Sequence, residues 1–203
     1  MPASIRLATP DDAPALLSIY APLVRDTAIS LERTPPDATE FRARIRATLE
    51  ERPWLVCEAG GAMAGYAYAS SHRSRAGYRW AVESSVYVRG EHRRRGVATA
   101  LYAALFGVLA AQGYYTVYAG TVLPNAASTA LHRAVGFEPV GTYRAVGHKQ
   151  GTWHDVQWWQ RPLQDDRPAA PEPPRPITAI AGGPAYEEAL AAGRAHLDGG
   201  AAD

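Results

Sequence analysis

The chain has 203 residues, of which 47% are hydrophobic, and its 21 basic and 20 acidic residues give a formal net charge of +1. That length suits one domain with some additional chain, and so small a net charge is atypical of nucleic-acid-binding domains, which are decidedly basic. No apolar stretch is long enough to cross a bilayer and the first residues lack the pattern of a secretory signal, so we expect a cytoplasmic protein with no nucleic-acid or membrane partner.

Strand-like and helix-like patterns alternate up to about residue 163, which is typical of an α/β or α+β domain. In chain order the predicted elements are a strand at 5–8, helices at 10–24 and 37–52, strands at 54–58, 65–70 and 81–88, a helix at 96–112, a strand at 117–121, a short helix from Asn125 to before Gly136, and strands at 137–145 and 153–161. The single cysteine, Cys57, falls in an apolar strand and is predicted to be a buried structural thiol.

Capping residues mark the start of the first predicted helix and the end of the longest one. Thr9 and Pro10 followed by Asp11 and Asp12 favour a first helical turn, because a hydroxyl cap and acidic side chains suit the positive end of a helix. Gly113 is the expected terminator of the long helix at 96–112.

The composition changes after Leu163. Residues 164–176 contain five prolines and several charges, which predicts an unfolded linker. Residues 186–197 could form only a weak helix, since alanine and glycine offer little surface to bury. The predicted organisation is therefore a domain at 4–163 and a Pro-rich linker with a flexible tail at 164–203.

The stretch from Ser85 to Leu101 carries the strongest chemical signal. It predicts a strand, a loop and a helix whose first turn contains small residues, so that backbone N–H groups and the helix dipole can hold an anion such as a pyrophosphate. Three consecutive arginines, 93–95, add positive charge, and Thr99 adds a hydroxyl. A triple arginine by itself is also consistent with a solvated basic turn.

The spacing Arg93-x-x-Gly96-x-Ala98 resembles the acetyl-CoA pyrophosphate loop of the GCN5-related N-acetyltransferases, the GNAT superfamily. The run from Asn125 through Ser128, Leu131 and His132 to Gly136-Phe137 is similar to a second segment of that family. Longer strings, among them Val82–Val88 and residues 147–156, resemble its phosphinothricin and methionine sulfoximine acetyltransferase branch. The resemblance implies a mixed, largely antiparallel central sheet, splayed at the acetyl-CoA site and flanked by helices.

The resemblance also implies which residues bind acetyl-CoA, the expected co-substrate. These are the backbone of the catalytic strand, the loop with the first helical turn, and the second segment: Val86, Tyr87, Val88, Arg93, Arg94, Arg95, Gly96, Val97, Ala98, Thr99, Asn125 and Ser128. Four other histidines, His92, His148, His154 and His196, show no metal-ligand spacing, and no metal is predicted.

Two residues are candidates for proton transfer during attack of an amine on the thioester. The resemblance implies that an N–H group of Val86–Val88 is aimed at the thioester oxygen, and Glu83, a few residues upstream on the same strand, is the candidate base. His132 occupies the position where relatives carry a residue that protonates the leaving thiolate, and an imidazole can act as acid or base. The sequence leaves open which of the two accepts the amine proton.

Cationic and hydroxyl-bearing residues near this strand are candidates for the acceptor substrate, because a guanidinium matches the geometry of an oxyacid group. This chemistry favours Arg73 and Arg79, with Tyr78 between them, and the resemblance to the branch implies Tyr20, Ser71, His72 and Arg73 as substrate-facing positions. The chain departs from the branch at Leu31, where relatives often carry an aromatic residue, which leaves the preferred acceptor open.

Three functions are consistent with these observations. The first is an N-acetyltransferase for a small amino-acid-like amine, and the resemblance adds a homodimer. The second is an acetyltransferase for protein N-termini or lysines, which needs an open peptide groove. The third is a non-catalytic module that binds acyl-CoA or nucleic acid through Arg93, Arg94 and Arg95.

Overall fold

The computed structural model describes residues 3–198. Its strands are β1 (Ser4–Leu7), β2 (Trp54–Ala59), β3 (Ala62–Ser71), β4 (Ala81–Val88), β5 (Thr116–Val122), β6 (Glu138–Lys149) and β7 (Thr152–Pro162). Its α-helices are α1 (Ala13–Asp26), α2 (Ala38–Glu51), α3 (Val97–Gln112), α4 (Ala126–Ala134) and α5 (Pro184–Asp198). Each element predicted before residue 163 is present, most with ends shifted by one or two residues.

The seven strands form one sheet in the order β1-β2-β3-β4-β5-β7-β6. All neighbouring strands are antiparallel except β4 and β5, which are parallel. The predicted mixed, largely antiparallel sheet flanked by helices is therefore confirmed. Within residues 3–198, no helix is both long and apolar enough to cross a membrane.

Helices cover both faces of the sheet, and each face has its own hydrophobic cluster. One cluster joins α1 and α2 to aromatic residues of β2 and β3, among them Trp54 and Tyr66. The other joins α3 to residues such as Val82 and Trp159. Because side chains alternate along a strand, Val82 and its neighbour Glu83 project from opposite faces, and Glu83 lies on the α1–α2 face.

α3 is apolar around its whole circumference. It carries no charged residue, and ten of its side chains are buried, including Tyr102 and Phe106. A helix that is hydrophobic on all sides must be covered on all sides. The sheet covers one side of α3, and α5 covers another through Tyr186, Ala189 and Leu190.

The predicted flexible tail is wrong for the described part of the segment after Leu163. Although it is rich in proline, the segment is hydrogen-bonded to the domain. The Arg175 N–H donates to the Gln112 carbonyl at 2.8 Å, and the Trp80 indole N–H donates to the Glu172 carbonyl at 2.8 Å. Ile177 and Ile180 are buried, and α5 follows. Alanines and glycines do support a packed helix here, because small side chains allow it to approach α3 closely. Residues 199–203 lie outside the described residues.

Candidate active site

The sheet opens between β4 and β5. These parallel strands pair only across residues 81–83 and 116–118, whereas β4 continues to Val88 and β5 to Val122. Among the described strands none pairs with that edge of β4 beyond Glu83, so its backbone N–H and C=O groups face a gap. A backbone edge of this kind can hydrogen-bond an extended ligand in the manner of an added strand.

A cleft of about 420 Å³ occupies this gap. Its walls are the end of β4, the loop and first turn of α3, the start of α4, and part of the α1–α2 region. All the predicted acetyl-CoA residues except Arg95 line it: Val86, Tyr87, Val88, Arg93, Arg94, Gly96, Val97, Ala98, Thr99, Asn125 and Ser128. Leu23, Ile29, His92, Ala127 and Leu131 complete the lining, and sequence reasoning did not single them out for this role.

The loop before α3 has a backbone shaped by two left-handed residues. Arg94 has a φ of 61°, and Gly96, the N-cap of α3, has a φ of 77°. The first N–H groups of α3 have no partner within the helix, and the positive end of its dipole lies beside the cleft. Exposed arginine side chains at 93–95 surround this end. The arrangement suits a diphosphate, and this binding role stays a prediction.

Asn125 caps α4 at the opposite wall. Its Oδ1 accepts a hydrogen bond from the Ser128 N–H at 3.1 Å, so the side-chain oxygen is already engaged. Both residues line the cleft next to Val86 and Tyr87. The remaining amide group of Asn125 is the part available to a ligand.

Glu83 is held by two of the predicted substrate residues. Its Oε1 lies 3.0 Å from His72 Nδ1 and accepts a hydrogen bond from Arg73 Nη1 at 3.3 Å. The His72 ring stacks on Tyr118 at 4.3 Å between centroids, which fixes the imidazole beside the carboxylate. The His72 side chain is 13% exposed and that of Glu83 is 29% exposed, so the pair is sheltered but reachable.

His132 is placed on the other face of the sheet. It is buried, with Nε2 3.2 Å from the Tyr102 hydroxyl and Nδ1 3.2 Å from Thr121 Oγ1, and it stacks on Trp159. Burial disfavours its charged form and lowers the pKa of His132 to about 4, so the imidazole is neutral at pH 7. It borders a cavity of about 60 Å³ that Val86 also lines. The structure therefore does not bring His132 together with Glu83.

The other predicted substrate residues lie at different depths. Tyr20 is buried behind Tyr87 in an edge-on ring contact of 5.0 Å, and its hydroxyl donates to Glu32 Oε1 at 3.0 Å. Burial raises the pKa of Tyr20 well above its ordinary value. Ser71 is exposed at the end of β3.

Tyr78 and Arg79 are exposed beside this region. The Tyr78 ring lies 6.0 Å from that of His72, which brings it to the Glu83 pair. Arg79 instead donates to the Ala76 carbonyl at 3.3 Å and lies over the Trp80 ring, so it does not contact Glu83.

A buried lysine joins the end of β6 to the α1–α2 region, which borders the cleft. Lys149, at the end of β6, donates from Nζ to the carbonyls of Val24 and Ser30, both at 2.6 Å. Leu31 contacts Gly147 next to it. The β6–β7 hairpin is thus fastened to the α1–α2 connection. Sequence reasoning missed this role, since a lysine in a strand gives no signal of its distant carbonyl partners.

The profile of the Acetyltransferase (GNAT) domain family matches residues 5–158. The chain belongs to this GNAT acetyltransferase family. The match covers nearly the whole predicted domain, and it includes every wall of the cleft. The family assignment predicted from Arg93, Gly96, Ala98 and the Asn125 segment is confirmed.

Two relatives within the GNAT family show which branch of the family this chain resembles. The phosphinothricin N-acetyltransferase of Streptomyces viridochromogenes is 40% identical over 179 residues, 88% of this chain and 97% of that protein. The L-methionine sulfoximine/L-methionine sulfone acetyltransferase of Pseudomonas paraeruginosa is 39% identical over 171 residues, 83% of this chain and 99% of that protein. The predicted branch resemblance is confirmed by both.

Solved structures share the fold. A GNAT superfamily phosphinothricin acetyltransferase from Sinorhizobium meliloti, crystallised with AcCoA, has a TM-score of 0.79 and 36% identity, and the match covers 85% of this chain and 94% of that one. An acetyltransferase from Salmonella typhimurium with its cofactor acetyl-CoA has a TM-score of 0.79 and 34% identity, with 85% and 99% covered. The predicted GNAT fold is confirmed. Within residues 3–198 no cluster of three or more His, Cys, Asp or Glu side chains is arranged to hold a metal ion.

Proposed function

We propose that this chain transfers the acetyl group of acetyl-CoA to the amino group of a small, amino-acid-like acceptor, in the chemical class of phosphinothricin, methionine sulfoximine and methionine sulfone. The observation that carries the proposal is the cleft between β4 and β5, with a helix N-terminus at one end and the sheltered Glu83 carboxylate on the strand that forms its wall. The relatives named above support the class of acceptor.

The cleft fits acetyl-CoA as a co-substrate. The left-handed loop, the start of α3 and the arginines suit a diphosphate, and the unpaired edge of β4 suits the amide groups of a pantetheine arm. Acetyl-CoA supplies an activated thioester. The residues of this chain then have to bind it, orient the amine, remove a proton and stabilise negative charge on the carbonyl oxygen.

Glu83 is the group we assign to proton removal. The amine nitrogen bonds to the carbonyl carbon, the C–S bond breaks and the thiolate leaves, while the proton lost from nitrogen passes to the Glu83 carboxylate directly or through a water. His72 and Arg73 hold that carboxylate in place. An N–H group of residues 86–88 on the free edge of β4 is the proposed donor to the oxyanion.

His132 has a different role in this proposal. A pKa of about 4 makes it a poor base at neutral pH and leaves no imidazolium to donate a proton to the thiolate. Its two nitrogens link the hydroxyls of Tyr102 and Thr121. We therefore assign it to orienting this hydroxyl network beside the cleft.

The fastened hairpin favours a small acceptor over a protein. A peptide substrate needs an open groove on the acceptor side, whereas Lys149 and the Leu31–Gly147 contact join the hairpin to the α1–α2 connection. The test is transfer of labelled acetyl from acetyl-CoA to phosphinothricin, methionine sulfoximine and methionine sulfone, compared with peptides bearing free N-termini and lysines. Turnover of the amino-acid analogues is expected, and turnover of peptides alone would overturn the proposal.

The homodimer is a further part of the proposal. β6 is an edge strand, and the β6–β7 hairpin exposes Val140, Tyr143, Val146 and Trp153, the last at 64%. Exposed apolar side chains gathered on an edge hairpin are typical of a protein–protein contact. The mass measured by light scattering should be twice that of the chain, and a monomer at all concentrations would contradict it.

Cytoplasmic localisation and a part in resistance to amino-acid-like toxins complete the proposal. The chain's one cysteine, Cys57, is a free buried thiol, which suits a reducing compartment because the chain does not rely on an internal disulfide. Deleting the gene for a resistance enzyme should sensitise the host to phosphinothricin or methionine sulfoximine. Unchanged sensitivity to both compounds would remove the resistance role.

A further inference from the structure

The two helices α3 and α5 approach each other almost at backbone contact. At three glycines a Cβ atom would have no room between the two helices. On Gly107 it would lie 2.7 Å from Ala189 Cβ, on Gly193 it would lie 2.7 Å from the Ala100 carbonyl oxygen, and on Gly96 it would lie 2.7 Å from the His196 carbonyl oxygen. The last turn of α5 therefore reaches the residue at which α3 begins.

Gly96 lies between α5 and the cleft. It lines the cleft, and it adopts the left-handed conformation that orients the start of α3. The residues before it, Arg93 to Arg95, are exposed and have little packing of their own. The carbonyl of His196 presses on the side of Gly96 where other residues carry a side chain.

We propose that α5 is a positioning element for residues 93–96, the loop that holds the diphosphate in the proposed function. Through Gly193, which lets α5 approach, and the backbone of His196, which contacts Gly96, α5 limits the conformations of residues 93–96 before the co-substrate arrives. A loop that is ordered in advance does not lose that conformational freedom on binding, so its affinity is higher. This inference rests on the proposed function, in that the cleft must take acetyl-CoA.

Gly193→Leu in the full chain tests the inference. The new side chain would meet the Ala100 carbonyl and the Ala104 methyl group, and so would displace the last turns of α5 from α3. Ala192→Leu is the matched control, because Ala192 is the exposed neighbour on the same helix. Each variant is assayed with two donors, acetyl-CoA and S-acetyl-pantetheine, which has the same thioester but no diphosphate.

The expected result is a KM for acetyl-CoA about tenfold higher in Gly193→Leu, equivalent to about 1.4 kcal/mol, the cost of ordering about one backbone residue. The kcat, the KM for the acceptor and the kinetics with S-acetyl-pantetheine should match those of Ala192→Leu. A purely structural role for α5 would instead lower activity with both donors, and that result would overturn the inference.

Leu197→Ala is a milder second variant, since Leu197 packs only partly against the core in the last turn of α5. If Gly193→Leu does not fold, a KM for acetyl-CoA unchanged in folded Leu197→Ala overturns the inference, and a rise confined to acetyl-CoA supports it. Calorimetric titration with acetyl-CoA separates this outcome from failure of the proposed function. If the wild-type chain binds acetyl-CoA but acetylates no acceptor, the proposed function is wrong. The difference in acetyl-CoA affinity between Gly193→Leu and Ala192→Leu then still tests the role of α5.

Discussion

Substitution of Glu83 by Gln removes proton transfer at this position and leaves the stability of the fold almost unchanged. Glutamine has nearly the same shape and keeps an oxygen that can accept from His72 or Arg73, but it cannot take a proton. The Arg73 side chain is 45% exposed, and an ion pair so exposed stabilises a fold by only about 0.2–1 kcal/mol. The variant should therefore fold with almost the stability of the wild-type protein.

The effect on turnover should be much larger. A positioned general base accelerates a reaction by about 10²–10⁴-fold, so we expect kcat to fall at least about 100-fold, or about 2.7 kcal/mol of activation free energy. Glu83 does not line the cleft between β4 and β5. The affinity for acetyl-CoA should consequently stay within about twofold of that of the wild-type protein, which calorimetry can measure.

The assay follows release of the CoA thiol with a chromogenic thiol reagent at saturating acetyl-CoA. Glu50→Gln, which removes an equal charge from an exposed position on α2, is the control and should retain full activity. A kcat for Glu83→Gln within threefold of the control would refute the assignment of Glu83 as the base. A proportionate loss of acetyl-CoA affinity would place Glu83 in binding instead.

The remaining predictions concern α5, His132 and the hairpin. Leu190→Ala should lower the free energy of unfolding by about 3 kcal/mol and the Tm by about 6–12 °C, because Leu190 is only 4% exposed. The control Ala191→Gly, on the exposed face of α5, should lower the free energy of unfolding by no more than about 1 kcal/mol. Equal effects of the two substitutions in thermal melts would contradict the packing of α5. The pKa of His132 is about 4 in the folded protein against 6.5 in the unfolded chain, so the unfolded state binds the proton first and the free energy of unfolding should decline as the pH falls from about 6.5 to 4. His132→Gln should make the free energy of unfolding less dependent on pH in this range. An unchanged dependence would refute the effect of burial. Trp153→Glu should yield monomers by light scattering if the exposed hairpin forms the dimer, and a dimer of unchanged affinity would exclude that surface.

Local pattern sufficed to predict the elements that line the cleft between β4 and β5. The cleft residues at 86–88, 93–94 and 96–99 are close in sequence, and their strand, loop and helix follow from β-branched residues, glycine and a continuous apolar run. Their placement needed little information from distant parts of the chain. The same holds for Asn125, whose capping role follows from its position before a helix.

The surroundings of Glu83 and His132 depended on contacts between residues that are distant in sequence. Register between β3 and β4 places Ser70 opposite Glu83, and this brings His72 to the carboxylate. The burial of His132 results from its contacts with Tyr102 and Trp159, which lie on other elements. Neither effect has a local sequence signal.

The prediction of a flexible tail failed because proline content describes the segment alone and not the surface beneath it. The signal was present elsewhere, in α3. A helix with no charged residue between Val97 and Gln112 has almost no polar surface to offer to solvent, which favours a further segment outside the sheet that covers it. Tyr186 and Leu190 of α5 are among the side chains that do so.

Calorimetric titration of the full-length protein with acetyl-CoA measures most directly whether the cleft between β4 and β5 is a donor site. We expect one site per chain with a dissociation constant between about 1 μM and 1 mM, weakened by added salt because the arginines and the helix end attract the diphosphate. Gly96→Val should abolish the heat, since a side chain there would meet the His196 carbonyl and oppose the left-handed backbone. No heat of binding at millimolar acetyl-CoA, or equal binding by Gly96→Val, would contradict the account.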